Sequence, residues 1–378
     1  MFGRNRFTRG LFACAFAALS FVSTAADIVV GQVVPMTGAL ADYGKDLTLG
    51  VSLYIRHIND RGGVNGQKIR VVVRDDGYKV DETVKQTKEL IANENPVALI
   101  GFVGTGNVGA LLKQNVLADA NIALIAPYTG GEVLRTPFNP YIFHIRAGYA
   151  DECEKMVAHL HTFAIDRIAV FYQDDAFGLA GLKGVEDALA KRKIKLLVKG
   201  TYEKNSDVVG KGVDDIVRAD AQAVIMISVN NTTGRFMKDY REKGGRGQLY
   251  NISVVNPAAL IKIAGVQNAK GTGIAQVMPY PFTRTTRAAA EYLDLLKKYA
   301  PDEKPAYSSF ETFVAAKLLV EGLRRAGANP TRQKVMRGLE SVSNYDVGDF
   351  VLSFSPTNRV GSQYVDITVI SKDGRLLH

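Results

Sequence analysis

Cysteine is nearly missing: Cys14 and Cys153 are the only two in 378 residues. Cys14 falls in an N-terminal leader, so the mature chain holds one thiol. That excludes an intramolecular disulfide and leaves stability to hydrophobic cores. Cys153 lies in Asp151-Glu152-Cys153-Glu154, where acidic neighbours raise a thiol pKa and disfavour nucleophilic chemistry; it reads as a small helix residue. Histidine is scarce too, five in all, with none at metal-ligand spacing. His159 and His161 point to different sides of a helix, so no metal is expected. No G-x-S-x-G nucleophile turn occurs. Asp174-Asp175 is a carboxylate pair, but adjacent side chains diverge, and it reads as a strand-end turn. Lys191-Arg192-Lys193 reads as a solvated helix end, and no basic run of the kind that tracks nucleic acid is present. Beyond the leader, no apolar run is long enough to span a bilayer. Flexible Gly/Ser linkers, short repeats and low-complexity segments are also missing.

The leader itself is distinct. Arg4, Arg6 and Arg9 precede an apolar run, Leu11–Val22, then small residues Ser23-Thr24-Ala25-Ala26 and a polar turn at Asp27. A basic start, an apolar stretch of about a dozen residues and a small-residue cleavage site define a secretory signal; a membrane span needs about 20. An uncleaved anchor, a buried helix and a lipid on Cys14 are the weaker readings. Residues 1–26 are thus expected to be removed, giving a periplasmic, water-soluble chain. Its three arginines account for three of the formal +9 charges, leaving about +6, a mildly basic balance. About 350 mature residues exceed what one core usually serves, so two domains are expected.

Apolar, β-branched runs read as buried strands at 28–34, 69–73, 97–101, 122–126, 168–172, 223–228 and 273–278. Helical patterns lie between them at 45–60, 82–93, 108–119, 152–162, 179–191 and 233–243. Asp81 and Asn107 are the expected caps of two of these. Alternation of this kind predicts right-handed βαβ units and parallel sheets covered on both faces. The order breaks at 141–149, where a strand turns into a helix, and at Met278-Pro279-Tyr280-Pro281. Helices at 286–299, 308–326 and 331–339 follow, Phe310 and Phe313 packing the core, and strands at 349–354 and 364–370 close the chain. Two α/β blocks joined by short crossings predict hinged lobes.

Gly104-Thr105-Gly106-Asn107-Val108-Gly109 spells G-x-G-x-x-G after a strand and before a helix, which alone points to a dinucleotide. The acidic residue expected about twenty positions on is missing: the next strand ends in Ala126-Pro127-Tyr128-Thr129-Gly130. No cofactor is expected. The same loop suits an anion, since helix-start N–H groups are unpaired and carry partial positive charge; otherwise Thr105 or Asn107 simply caps the helix. Three loops emerge at strand carboxyl ends, where open sheets bind ligands: Pro35–Gly38 with Tyr43, the Gly104 loop, and Pro127–Gly130. They are rich in Gly, Thr and Tyr and poor in catalytic groups.

One further pattern is specific in order and spacing: Gly31-Gln32-Val33-Val34-Pro35-Met36-Thr37-Gly38, Tyr43-Gly44, Gly50, Asn59, Gly62-Gly63-Val64-Asn65-Gly66, Asp75-Asp76, and later Ala169–Gly178. It resembles the branched-chain amino acid type of periplasmic solute-binding protein that serves ABC importers, over essentially the whole mature chain. The resemblance implies a type I periplasmic binding fold: two Rossmann-like lobes with parallel-sheet cores, a three-stranded hinge and a ligand trapped between. The expected lobes are 27–145 plus 280–345, and 146–279 plus 346–378. Carried over by position, Tyr43 is a pocket tyrosine, Thr105 and Thr129 bind a ligand carboxylate, and Phe177 is an aromatic wall. The full candidate set adds Phe102, Val103, Gly104, Ala126, Pro127, Tyr128, Asn230, Ser253 and Gln276. The acid that pairs with an amino-acid ammonium should fall near Ser253, and a tyrosine near Asn230; neither is there. An unpaired ammonium in a dry cleft is costly, so the expected ligand is a carboxylate or amide without a free α-amino group. The expected role is capture of a small polar solute by a monomer and delivery to a membrane permease, without nucleic acid. Alternatives are an exported sensor for a receptor kinase and an exported α/β enzyme, the latter disfavoured by the lack of a nucleophile–base pair or metal cluster.

Overall fold

The computed structural model describes residues 26–378; the leader lies outside the described residues. The chain opens with β1 (Ile28–Val34), α1 (Ala41–Asp60), β2 (Ile69–Asp75), α2 (Val80–Glu94), β3 (Ala98–Ile100), α3 (Thr105–Lys113), α4 (Val116–Asp119), β4 (Leu124–Ile125) and β5 (Ile142–Phe143). These strands form one parallel sheet in the order β2-β1-β3-β4-β5. Its register is continuous from Ile28 opposite Ile69 to Val34 opposite Asp75, as expected where β-branched side chains are buried on both faces.

The second block runs α5 (Tyr149–Thr162), β6 (Ile168–Gln173), α6 (Ala176–Lys191), β7 (Val198–Tyr202), α7 (Gly210–Arg218), β8 (Ala223–Ile227), α8 (Asn230–Glu242), β9 (Gln248–Asn251), α9 (Pro257–Ala264), α10 (Val266–Ala269) and β10 (Gly273–Gln276). The chain then returns to the first block with α11 (Arg287–Tyr299), α12 (Tyr307–Ala326), α13 (Arg332–Glu340), β11 (Tyr345–Asp346) and β12 (Val351–Leu352), and ends on β13 (Asp366–Ile370) and β14 (Leu376–Leu377). The second sheet is β14-β13-β10-β9-β8-β6-β7. Its parallel part, β7-β6-β8-β9-β10, repeats the order of the first sheet. Each lobe therefore reverses its winding at one place, β1/β3 in the first and β6/β8 in the second.

The first lobe buries α12 against α1. Gly50 makes this approach possible: a Cβ there would lie 2.0 Å from the Ser309 carbonyl. Tyr292 meets Phe310 edge to face and Phe313 at a tilt in the same core. The stretch 346–354, expected in the second lobe, instead contributes Val347, Phe350, Leu352 and Phe354 to this first core. The reason is apolar: four large side chains in nine residues find a preformed face there. Two expected caps differ as well. α2 begins at Val80, with Asp81 inside its first turn, and α3 begins at Thr105 with Gly104 before it, so Asn107 is internal. Asp175 does cap a helix, accepting from the Phe177 and Gly178 N–H groups, which gives the Asp174-Asp175 turn its structural task.

Candidate functional site

The two switch points face each other across the cleft. Between them lies a cavity lined by Leu40, Tyr43, Tyr78, Val103, Gly104 and Tyr128 from the first lobe and Tyr149, Phe177, Val229 and Val254 from the second. Each lining segment follows a strand carboxyl end or a hinge crossing, as open α/β sheets dictate. The remaining volume is about 20 Å³, room for about one water, so a solute enters only as the lobes part.

Tyr43 holds the cleft shut. Its hydroxyl donates to the Val254 carbonyl at 2.6 Å and accepts from the Asn230 N–H at 3.0 Å. Tyr128 makes a longer bond to the Ser253 carbonyl at 3.4 Å. Farther along the mouth, the Lys204 ammonium donates to Asn107 Oδ1 at 2.8 Å and sits 3.9 Å over the Tyr78 ring. Burial lowers the Lys204 pKa, against the pull of Asp175 and Asp76.

The Gly104 loop requires its glycine. Gly104 has φ +96°, and a Cβ would meet the Tyr78 ring at 2.8 Å and Asn107 Oδ1 at 2.7 Å. Neither Thr105 nor Asn107 caps the helix. The Thr105 hydroxyl instead lies 2.6 Å from that of Thr129, which also accepts from the Gly131 N–H at 3.2 Å and the Tyr149 hydroxyl at 3.4 Å. The two threonines singled out in the sequence thus meet, directly behind Tyr149.

Of the thirteen sequence candidates, Tyr43, Val103, Gly104, Tyr128 and Phe177 line the cavity, Thr105, Pro127, Thr129, Asn230 and Ser253 are buried without lining it, and three pack elsewhere. Phe102 packs among Val33, Leu99 and Val108, because strand-end residues alternate direction and its turn points inward. Ala126 belongs to the first-lobe core. Gln276 donates to Thr368 Oγ1 at 3.0 Å within the second sheet, since β13 adds to β10 and covers it. Pro127 is buried and is not part of the lining. Asn230 reaches the site through its backbone N–H, while its Oδ1 accepts from the Asn256 N–H at 2.7 Å.

The region of Ser253 holds a carboxylate after all. Glu152, fully buried on α5, accepts from the Ser253 N–H at 2.6 Å and the Ser253 hydroxyl at 2.9 Å. Burial pushes its pKa up to about 7, with Arg146 and the Ser253 bonds acting in the opposite direction. This carboxylate reaches Ser253 from 101 residues earlier in the chain. Both its oxygens are engaged with Ser253, and it does not line the cavity.

Tyr78 and Tyr149 were not among the sequence candidates. Tyr78 follows Asp75-Asp76, and those carboxylates shape the mouth. Asp76 accepts from the Tyr78 N–H at 2.9 Å and from Thr83 Oγ1 at 2.5 Å. Asp75 accepts from the Met36 N–H, the Gly77 N–H and the Thr37 hydroxyl, which fastens the first cleft loop. Burial raises the Asp75 pKa, but these bonds outweigh it and hold the carboxyl below its ordinary value. An acid pair at a strand end before Gly-Tyr was the available signal.

Two lobes of matched winding around a closed interlobe cavity define a solute-binding protein. The chain belongs to the periplasmic binding protein family, whose match spans residues 27–375. Leu/Ile/Val-binding protein homolog 7 of Brucella suis biovar 1 is 24% identical over 337 residues, covering 83% of this chain and 82% of that one. A substrate-binding periplasmic protein from Ralstonia solanacearum superposes with a TM-score of 0.89 at 36% identity, covering 93% of this chain and 99% of that one. A possible leucine/isoleucine/valine-binding protein from Rhodopirellula baltica shares the fold, with a TM-score of 0.89 at 23% identity over 94% of this chain and 97% of that one. These relatives are binding proteins, not enzymes, and family membership implies an extracytoplasmic location.

Proposed function

We propose that the protein captures a small carboxylate-bearing solute between its lobes in the periplasm and hands it, chemically unchanged, to the membrane subunits of an ABC importer. The observation that carries this reading is a cavity lined from both lobes at their switch points and bridged by the Tyr43 hydroxyl. Thr105 and Thr129 are the hydroxyls that exchange their mutual bond for the ligand's oxygens, and Tyr43, Val103, Gly104, Tyr128 and Phe177 form the walls. Closure desolvates a ligand on both sides, so few polar contacts suffice for micromolar affinity, about −8 kcal/mol. Native mass spectrometry of protein from its source periplasm tests the reading: a retained small acid is expected, and a chemically converted solute would sink it.

Thr105→Val is expected to weaken ligand binding about ten- to a hundred-fold, because a hydrogen bond to a charged oxygen contributes roughly 1.5–3 kcal/mol. Titration calorimetry checks this. Unchanged affinity with a lowered melting temperature would show that the Thr105–Thr129 contact is structural only. The secreted chain is expected to begin at Ala26 or Asp27, which intact mass measurement decides; a retained Met1 contradicts export by cleavage. Gln67 Nε2 bonds the Ala26 carbonyl at 2.8 Å, so the new terminus is tied to the first lobe.

A further inference from the structure

Five of the ten side-chain positions around the cavity are aromatic: Tyr43, Tyr78, Tyr128, Tyr149 and Phe177. The other five are aliphatic or glycine, and no Asp, Glu, Lys, Arg or His lines the wall. The rings come in two crossed pairs. Tyr43 and Tyr128 meet edge to face at 6.1 Å and 60°; Tyr149 and Phe177 do so at 5.6 Å and 69°. One pair belongs to the first lobe, and the other closes from the second.

Such walls could serve an aliphatic body, an organic cation or an aromatic ring. Aromatic cages do attract ammonium groups. Here, however, protein cations already hold ring faces: Lys204 Nζ at 3.9 Å over Tyr78 and Arg146 Cζ at 4.4 Å over Tyr128. Arg146 is paired with Glu311, and Lys204 lies 3.9 Å from Asp175; those acids stand outside the wall and serve the protein's own cations. A ligand cation would thus meet a dry wall without a carboxylate, and Glu152 behind it already has both oxygens on Ser253, which is costly. An aliphatic chain would fill the space but use none of the edge-to-face geometry. A planar ring presents both the face and the edge that crossed pairs accept.

We propose that the cavity selects a planar aromatic carboxylate, its ring held between the Tyr43–Tyr128 and Tyr149–Phe177 pairs. This rests on the solute-capture reading above and names the ligand class within it. The ring displaces the first lobe's pair from the second as the lobes part, and closure brings Phe177 back over it.

Four probes test the assignment by titration calorimetry: benzoate, cyclohexanecarboxylate, leucine and tetramethylammonium. Benzoate is expected to bind at least tenfold more tightly than cyclohexanecarboxylate, equivalent to about 1.4 kcal/mol, with no measurable binding of the other two. Phe177→Leu is expected to bring the ratio of the two acids to threefold or less while cyclohexanecarboxylate binding persists. Equal affinities in the unaltered protein, preference for leucine or tetramethylammonium, or silence from all four would overturn the aromatic class. The solute-capture reading is judged separately by the retained molecule in native mass spectrometry. A retained aliphatic solute would sink only the aromatic class, and a solute returned altered would sink the capture reading itself.

Discussion

Glu311→Gln is expected to lower unfolding stability by about 3–5 kcal/mol, the cost of leaving one member of a buried ion pair uncompensated. Arg146 and Glu311 are 1% and 3% exposed and pair bidentately, Nε to Oε1 and Nη2 to Oε2, both at 2.9 Å. Burial alone would lower the Arg146 pKa, and the facing Glu311 carboxylate more than reverses that. Arg146 stands on the first crossing between lobes and Glu311 on α12, so the pair also fixes the hinge to the first lobe. Its remaining nitrogen, Nη1, has no partner, which leaves the guanidinium dependent on Glu311 and on the Tyr128 ring. Thermal unfolding followed by circular dichroism should show a fall of roughly 5–15 °C. The double variant Arg146→Met/Glu311→Leu is expected to recover most of the loss, because apolar replacement of a buried pair is often neutral or better. A Glu311→Gln loss below about 1 kcal/mol would mean that water already solvates the pair.

The sequence made the central strands of both lobes readable for a physical reason. Central parallel strands are buried on both faces, so β8 is a continuous apolar run, β6 is apolar up to its final Gln173, and β1 is interrupted only by Gly31-Gln32. β7 escaped because it is an edge strand whose residues, Val-Lys-Gly-Thr-Tyr, alternate between exposed and buried. β9 is only four residues, Gln248–Asn251, with one end exposed. α9 opens on an Asn256 cap and Pro257, a start signal that was present in the sequence.

The site was legible where it follows strand ends. Gly104 and Tyr128 sit on strand-end loops, and Tyr43 and Phe177 in the first turns of α1 and α6, all of which the βαβ pattern places in the cleft. Tyr78 is harder, because its position depends on the Asp76 carboxylate folding the turn beneath it. Ser253 with Glu152 is harder still. No local pattern links residues 101 apart, and the reading of Glu152 as mere acidic company for Cys153 missed that α5 aims it across at the loop after β9.

Glu152 also sets a pH dependence. Folding raises its pKa from 4.5 to about 7, chiefly through burial. Between those values the folded chain holds a proton that the unfolded chain has released, so this group's contribution is fully present below about pH 4.5 and lost as pH rises through 7. At about 1.4 kcal/mol per pH unit, the change is on the order of 3 kcal/mol. Arg146, Glu311, Tyr149, Cys153 and Ser253 surround it, and the Arg146 charge and Ser253 bonds favour the ionised form, which keeps the pKa from rising further. Asp46, Asp76 and Glu132 are raised by burial as well, whereas burial lowers His144, so the slope of the unaltered protein mixes several groups. Glu152→Gln isolates one of them: the amide can still accept from the Ser253 N–H and donate to its hydroxyl, but it does not titrate. Urea unfolding of both proteins from pH 4 to pH 8 should give stabilities that are similar near pH 4. They should diverge through pH 7, with the variant the more stable of the two by on the order of 3 kcal/mol at pH 8. Parallel curves across that range would show that Glu152 keeps an ordinary pKa in the folded protein and that its carboxylate is charged beside Ser253.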